Sequence, residues 1–237
     1  MKYSFSKMKY IIATSLLIFA IVGVSCQIKT SSTTTMGYKY LALGDSYTIG
    51  ESVAAEHRWP NQLVAKVAAS NNAVFEPVQI IATTGWTTDE LKAGIAEVKP
   101  QENAYDFVSL LIGVNNQYRG YPIADFEREF EELLNQAISY AKKKENVFVV
   151  SIPDYGVTPF AASKNPEKIG KEVKEYNDLS KKIAEKYDVE FFDIYPISKK
   201  ALNDDSYVAD DKLHPSGKMY VEWAELILPW MDKKVNQ

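Results

Sequence analysis

Phe107-Val108-Ser109-Leu110-Leu111-Ile112 runs straight into Gly113-Val114-Asn115-Asn116, and Val147-Phe148-Val149-Val150-Ser151-Ile152 is built the same way further along the chain. Nearly unbroken apolar runs are expected of parallel strands covered on both faces, whereas half-exposed strands alternate. Residues 38–43, 78–82 and 190–194 read as three more strands. Helical stripes separate them. Phe126, Phe130, Leu133, Leu134, Ala137 and Ala141 recur at helical spacing, with Asp125, Glu127, Arg128, Glu131 and Glu132 on the opposite side. Val173, Tyr176, Ile183, Ala184 and Tyr187 form a second stripe and residues 219–228 a third, while Thr88-Asp89-Glu90-Leu91 opens a shorter helix running to about residue 98. The alternation predicts a three-layer α/β/α sandwich on a five-stranded parallel sheet with right-handed crossovers. There is no internal repeat, and no Gly-x-Gly-x-x-Gly or Gly-x-x-x-x-Gly-Lys loop supports a nucleotide.

In such sheets ligands lie beyond the carboxyl ends of the strands. Gly44-Asp45-Ser46-Tyr47 follows the first strand, Thr83-Thr84-Gly85-Trp86 the second and Gly113-Val114-Asn115-Asn116 the third. Asp211-Lys212-Leu213-His214-Pro215 precedes the last helix. All four segments are expected at one rim. A serine hydroxyl attacks a carbonyl only when an imidazole takes its proton and a carboxylate holds that imidazole. Asp211 and His214, three apart, fall on one side of a turn, and Pro215 keeps His214 out of the helix that follows. The oxyanion formed on attack needs donors, which a glycine N–H and an asparagine amide supply.

Taken together, these four blocks resemble the SGNH, or GDSL, hydrolase family of serine esterases and lipases. The resemblance spans most of residues 38–234 and implies a flavodoxin-like sheet, a solvent-open site and no metal. It implies Ser46 as nucleophile, His214 as base and Asp211 as its orienting acid. The Ser46 N–H, Gly85 and Asn115 would form the oxyanion hole. One position departs from the family: its third block usually reads Gly-x-Asn-Asp, and here Asn116 replaces the acid. The Gly-x-Ser-x-Gly elbow of α/β-hydrolases is absent around every serine, and so is any His-Glu-x-x-His pattern. No cofactor is expected.

The first residues read as a targeting segment. Lys2, Lys7 and Lys9 precede an apolar run over residues 11–24, too short for a membrane span, that ends at Gly23-Val24-Ser25-Cys26. Cys26, the single cysteine, looks like a bacterial lipoprotein processing site, although Gly23 stands where such sites usually carry a branched aliphatic residue. Residues 1–25 are therefore expected to be a signal peptide, Cys26 a lipid anchor and residues 26–37 a polar tether. Residues 38–237 then form one hydrolase domain held outside the cytoplasm on a membrane. Loss of residues 1–25 removes three lysines and no acid, moving the net charge from −4 to −7. That argues against nucleic acid as a partner.

Other residues have plainer readings. His57 reads as an exposed cap residue at a helix start. Asp45 reads as a structural acid of its turn, and Asp204, Asp205, Asp210 and Asp211 as a solvated loop rather than a calcium site. Tyr47, Trp86, Tyr118 and Tyr155 follow strand ends and are candidates to line an acyl or sugar pocket. The expected activity is hydrolysis of small acyl esters, such as acetylated glycans, or of lipid esters through an acyl-enzyme. A thioesterase or lysophospholipase with the same triad, and a non-catalytic glycan- or lipid-binding surface protein, stand as alternatives.

Overall fold

The structure, a computed structural model, describes residues 37–237. The expected signal peptide, Cys26 and all of the tether but Gly37 lie outside the described residues. Five parallel strands, β1 (Tyr40–Gly44), β2 (Gln79–Ala82), β3 (Phe107–Leu111), β4 (Val147–Val150) and β5 (Glu190–Phe192), pair in the order β2-β1-β3-β4-β5. This is the expected flavodoxin-like arrangement. Every residue of β1, β3 and β4 is buried, whereas β2 and β5 stand at the edges and begin partly exposed. Inner position explains why β3 and β4 are so evenly apolar: both of their faces are covered.

Among the described residues eight α-helices accompany the strands, six between them and two after β5: α1 (Ser46–Ile49), α2 (Trp59–Asn71), α3 (Thr88–Val98), α4 (Val114–Tyr118), α5 (Ile123–Tyr140), α6 (Pro166–Lys186), α7 (Tyr195–Ser198) and α8 (Gly217–Val235). α2 lies along α8 on one face of the sheet. There Trp230 of α8 packs edge-on against Phe107, Phe148 and Phe192, one ring from each of three strands. On the other face α5 adjoins both α3 and α6. Phe126 of α5 meets Tyr176 of α6 with ring centroids 4.5 Å apart.

Register decides where the chemistry can gather. Gly44, the last residue of β1, pairs with Ala82, the last of β2, and with Leu111, the last of β3. Three strands thus end level, and the loops that follow them leave the sheet at one rim.

Candidate active site

Ser46 is the first residue of α1, immediately beyond β1, and is buried at 4% exposure. Asp45 caps that helix: its Oδ1 accepts the Tyr47 N–H at 3.0 Å. The Ser46 N–H, at the first helical position, has no intrahelical acceptor and is free for a ligand. Asp45 is wholly buried and its Oδ2 has no hydrogen-bond partner, so desolvation pushes its carboxyl up to about 7 against the pull of its backbone bonds.

Asp211 and His214 form a pair inside a single turn. His214 Nδ1 lies 2.6 Å from Asp211 Oδ2, while Asp211 Oδ1 accepts the N–H groups of Leu213 and His214, both at 2.9 Å. Lys212 between them takes φ 64°, and the turn is closed by the Ala209 N–H on the His214 carbonyl at 2.8 Å. α8 begins three residues after His214, capped by Ser216, so the imidazole stands outside the helix as Pro215 dictates. A second donor reaches the acid from far along the chain: Ser52 Oγ donates to Asp211 Oδ2 at 2.6 Å. Partial burial works to raise the carboxyl, but the bonds from Ser52, the imidazole and the two backbone N–H groups outweigh it and hold Asp211 at about 2. Tyr47 packs edge-on against the imidazole, with ring centroids 5.7 Å apart.

The loop after β2 supplies Gly85 at φ 89°, a conformation that favours glycine. Its carbonyl accepts Arg119 Nη2 at 2.6 Å, and Arg119 Nη1 reaches Glu90 at 3.2 Å. The Gly85 N–H has no acceptor among the described residues. Asn115 sits in the first turn of α4, behind Gly113, whose φ is 125° and whose Cβ, if it had one, would lie 2.4 Å from the Phe126 ring. Asn115 Nδ2 donates to the Trp86 carbonyl at 2.9 Å. An amide NH2 carries two hydrogens, so one remains for the cleft that Asn115 lines.

Asn116, where the family pattern has an acid, is fully buried against the start of α3. Its Oδ1 accepts the Thr88 N–H at 3.1 Å and its Nδ2 donates to Thr88 Oγ1 at 2.7 Å. The Thr88 hydroxyl in turn donates to Glu129 Oε2 at 2.5 Å. With the one threonine hydrogen committed to Glu129, residue 116 must donate, and an amide can.

Ser46, Asn115 and His214 line one cleft that is open to solvent. Its other walls include Val114, Tyr118, Tyr155, Phe160 and Leu213. Tyr118 is half exposed and its ring centroid lies 6.2 Å from that of Tyr155 and 6.3 Å from that of Phe160. The Phe160 N–H donates to the Lys212 carbonyl at 3.1 Å, pinning this wall to the turn that carries the imidazole. Among the described residues no hydrogen bond joins Ser46 Oγ to the His214 ring; such bonds often tighten only when substrate is bound. Of the aromatic candidates, Tyr47, Tyr118 and Tyr155 line the cleft. Trp86 instead lays its ring over Gly94 of α3. His57 is exposed and stands outside the cleft. Asp204 is occupied by Lys218 and Ser206, and among the described residues no three of His, Cys, Asp and Glu cluster as metal ligands.

Sequence reasoning missed Phe160, Ser52 and the Arg119 clamp. None carries a local signal, because each acts on a partner distant along the chain.

An all-parallel sheet with a serine, an imidazole and its acid gathered at the carboxyl rim defines a hydrolytic α/β enzyme rather than a nucleotide-binding module. The chain belongs to the GDSL-like lipase/acylhydrolase family, whose model matches residues 42–221. No curated protein matches it in sequence. Among solved structures it is similar to TesA, with a TM-score of 0.63 and 14% identity over 83% of this chain and 99% of that one. It also resembles a lipase/acylhydrolase from Enterococcus faecalis, with a TM-score of 0.61 and 21% identity over 83% and 96% of the two chains. Axe2, an acetylxylan esterase from Geobacillus stearothermophilus, gives a TM-score of 0.59 and 19% identity over 85% and 95%. At these identities the likeness is one of fold.

Proposed function

We propose that this esterase hydrolyses small acyl esters, acetylated glycans among them, or lipid esters, through an acyl-enzyme on Ser46. The observation that carries this reading is the 2.6 Å contact between Asp211 and His214 at a cleft that Ser46 also lines. Ser46 Oγ adds to the ester carbonyl as its proton passes to His214 Nε2. Asp211, accepting from Nδ1, holds the ring in the required tautomer and stabilises the imidazolium. The Ser46 N–H, the Gly85 N–H and the free Asn115 amide hydrogen receive the oxyanion. Collapse breaks the ester C–O bond, and His214 returns its proton to the departing alcohol. Water, deprotonated by the same imidazole, then releases the acid and restores Ser46.

The aromatic walls suit a sugar ring or an alkyl chain beside the scissile ester. The similarity in fold to an acetylxylan esterase supports an acetyl-sized acyl group. Turnover of p-nitrophenyl acetate and labelling by a fluorophosphonate are expected for the wild type and lost in Ser46→Ala; equal rates for both would overturn the reading. An ester panel from acetyl to palmitoyl then separates short-acyl from lipid substrates. The site of action is proposed to be extracytoplasmic, on a membrane held through lipidated Cys26. Cys26→Ala should abolish labelled palmitate incorporation and membrane fractionation, and retention of both would exclude this anchor.

A further inference from the structure

The loop that leaves α1 is tied to three parts of the site. Gly50 and Glu51 both donate their N–H groups to the Ser46 carbonyl, each at 3.0 Å. The Glu51 carboxylate accepts the Thr84 hydroxyl, from the residue before Gly85. Ser52 then donates to Asp211 Oδ2, the same oxygen that faces the imidazole. Every other donor to this carboxylate comes from its own turn, residues 211–214. Among the described residues Ser52 is its single hydrogen-bonded tie to the segment that carries Ser46.

Ser52 also holds φ 64°, in the left-handed region where an L-residue is strained and glycine is not. The backbone would be easier with glycine, so the local conformation gives no reason for a side chain at this position. The hydroxyl gives one. Asp211 stands on a surface turn with its side chain 29% exposed; two backbone N–H groups hold Oδ1, and Oδ2 would share its remaining lone pair with water if Ser52 did not take it.

We propose that Ser52 is a positioning residue for this esterase: its hydroxyl locks the Asp211 carboxylate against the imidazole and sets the acid–base pair relative to Ser46. The proposal rests on the triad reading above. Asp211 orients the ring only while Oδ2 stays in line with Nδ1; the two backbone N–H groups set Oδ1, and the Ser52 hydroxyl on Oδ2 fixes the rotation that remains. Because Ser52 is exposed and its bond competes with water, the expected effect is a moderate one.

Opposite movements of stability and activity test this. Ser52→Gly removes the hydroxyl and relieves the backbone, so Tm should hold or rise while kcat on p-nitrophenyl acetate falls about tenfold with KM little changed. Ser52→Thr keeps the hydroxyl but is β-branched in the left-handed region. Its Tm should fall while kcat stays within about threefold of wild type. A residue that merely supports the fold would move Tm and kcat together. Wild-type kcat in Ser52→Gly, or equal losses in the glycine and threonine variants, would overturn the proposal. Ser46→Ala run alongside separates the two failures. If it is as active as wild type, the triad reading falls; if it is dead while Ser52→Gly is unimpaired, only the role of Ser52 falls.

Discussion

Asn116→Asp restores the acid that the family pattern usually carries, yet here it should destabilise the protein. Residue 116 and Thr88 are both fully buried, and the Glu129 side chain is only 18% exposed. In the wild type a donor chain runs one way, from Asn116 Nδ2 through the Thr88 hydroxyl to Glu129 Oε2. A carboxylate at 116 cannot donate, so two acids compete for one hydroxyl hydrogen. Whichever loses forfeits a hydrogen bond to an ionised group in a place water hardly reaches, which costs about 2 kcal/mol. For a domain of this length that is a drop in Tm of about 4–8 °C at neutral pH. Protonating the new carboxyl gives it a hydrogen to donate, so the deficit should shrink toward pH 5. Glu129→Gln supplies the missing donor from the other end and lets the chain run in reverse, from glutamine 129 through Thr88 to the acid at 116. Urea and thermal unfolding of wild type, both single variants and the double variant measure the coupling, expected at about 1–2 kcal/mol in favour of the double variant. Equal cost of Asn116→Asp in the two backgrounds would refute the directed chain.

Two further outcomes follow from the geometry. With Asn115 as the proposed oxyanion donor, Asn115→Ala should lower kcat about 10²–10³-fold with a much smaller change in KM, because such a donor meets charge that develops only in the transition state; an unchanged kcat in steady-state assays would remove Asn115 from the oxyanion hole. Asp45, raised to about 7 by burial, contributes stability that is fully present below its unfolded pKa near 4 and is lost as pH rises through about 7. The difference in unfolding free energy between wild type and Asp45→Asn should therefore be flat below about pH 4, shift against wild type by a few kcal/mol up to about pH 7, and be flat again above it. A pH-independent difference would mean that Asp45 stays ionised in the fold.

The inner strands were legible because burial on both faces leaves almost no polar position to obscure them, and β3, at the centre of the sheet, and its neighbour β4 are the plainest runs in the chain. α5 and α6 announced themselves by stripe. α2 did not: only Trp59, Pro60, Leu63 and Val67 are buried, Val64 is partly so, and alanine, serine, lysine, asparagine and glutamine fill the rest, so its apolar face is too thin to stand out. Its packing along α8, far away in the sequence, makes it a helix in the fold.

The parts of the site divide along the same line. Asp211 and His214 could be paired from sequence because three residues span one turn, and the hydrogen bonds between the acid and residues 213 and 214 are local. Ser46, Gly85 and Asn115 could be brought to the same rim because a parallel sheet sends every strand end the same way. What fixes these parts against each other is not local. Ser52 lies 159 residues from Asp211, Arg119 34 from Gly85, and the Phe160 N–H is held by Lys212 on the acid's own turn. Each is an ordinary residue in a loop, with nothing about its neighbours to mark it. Identity of the reacting groups is therefore written locally, whereas their relative placement is set by contacts that only the fold creates. It follows that variants of the second kind should impair turnover while leaving the sequence blocks that define the family intact.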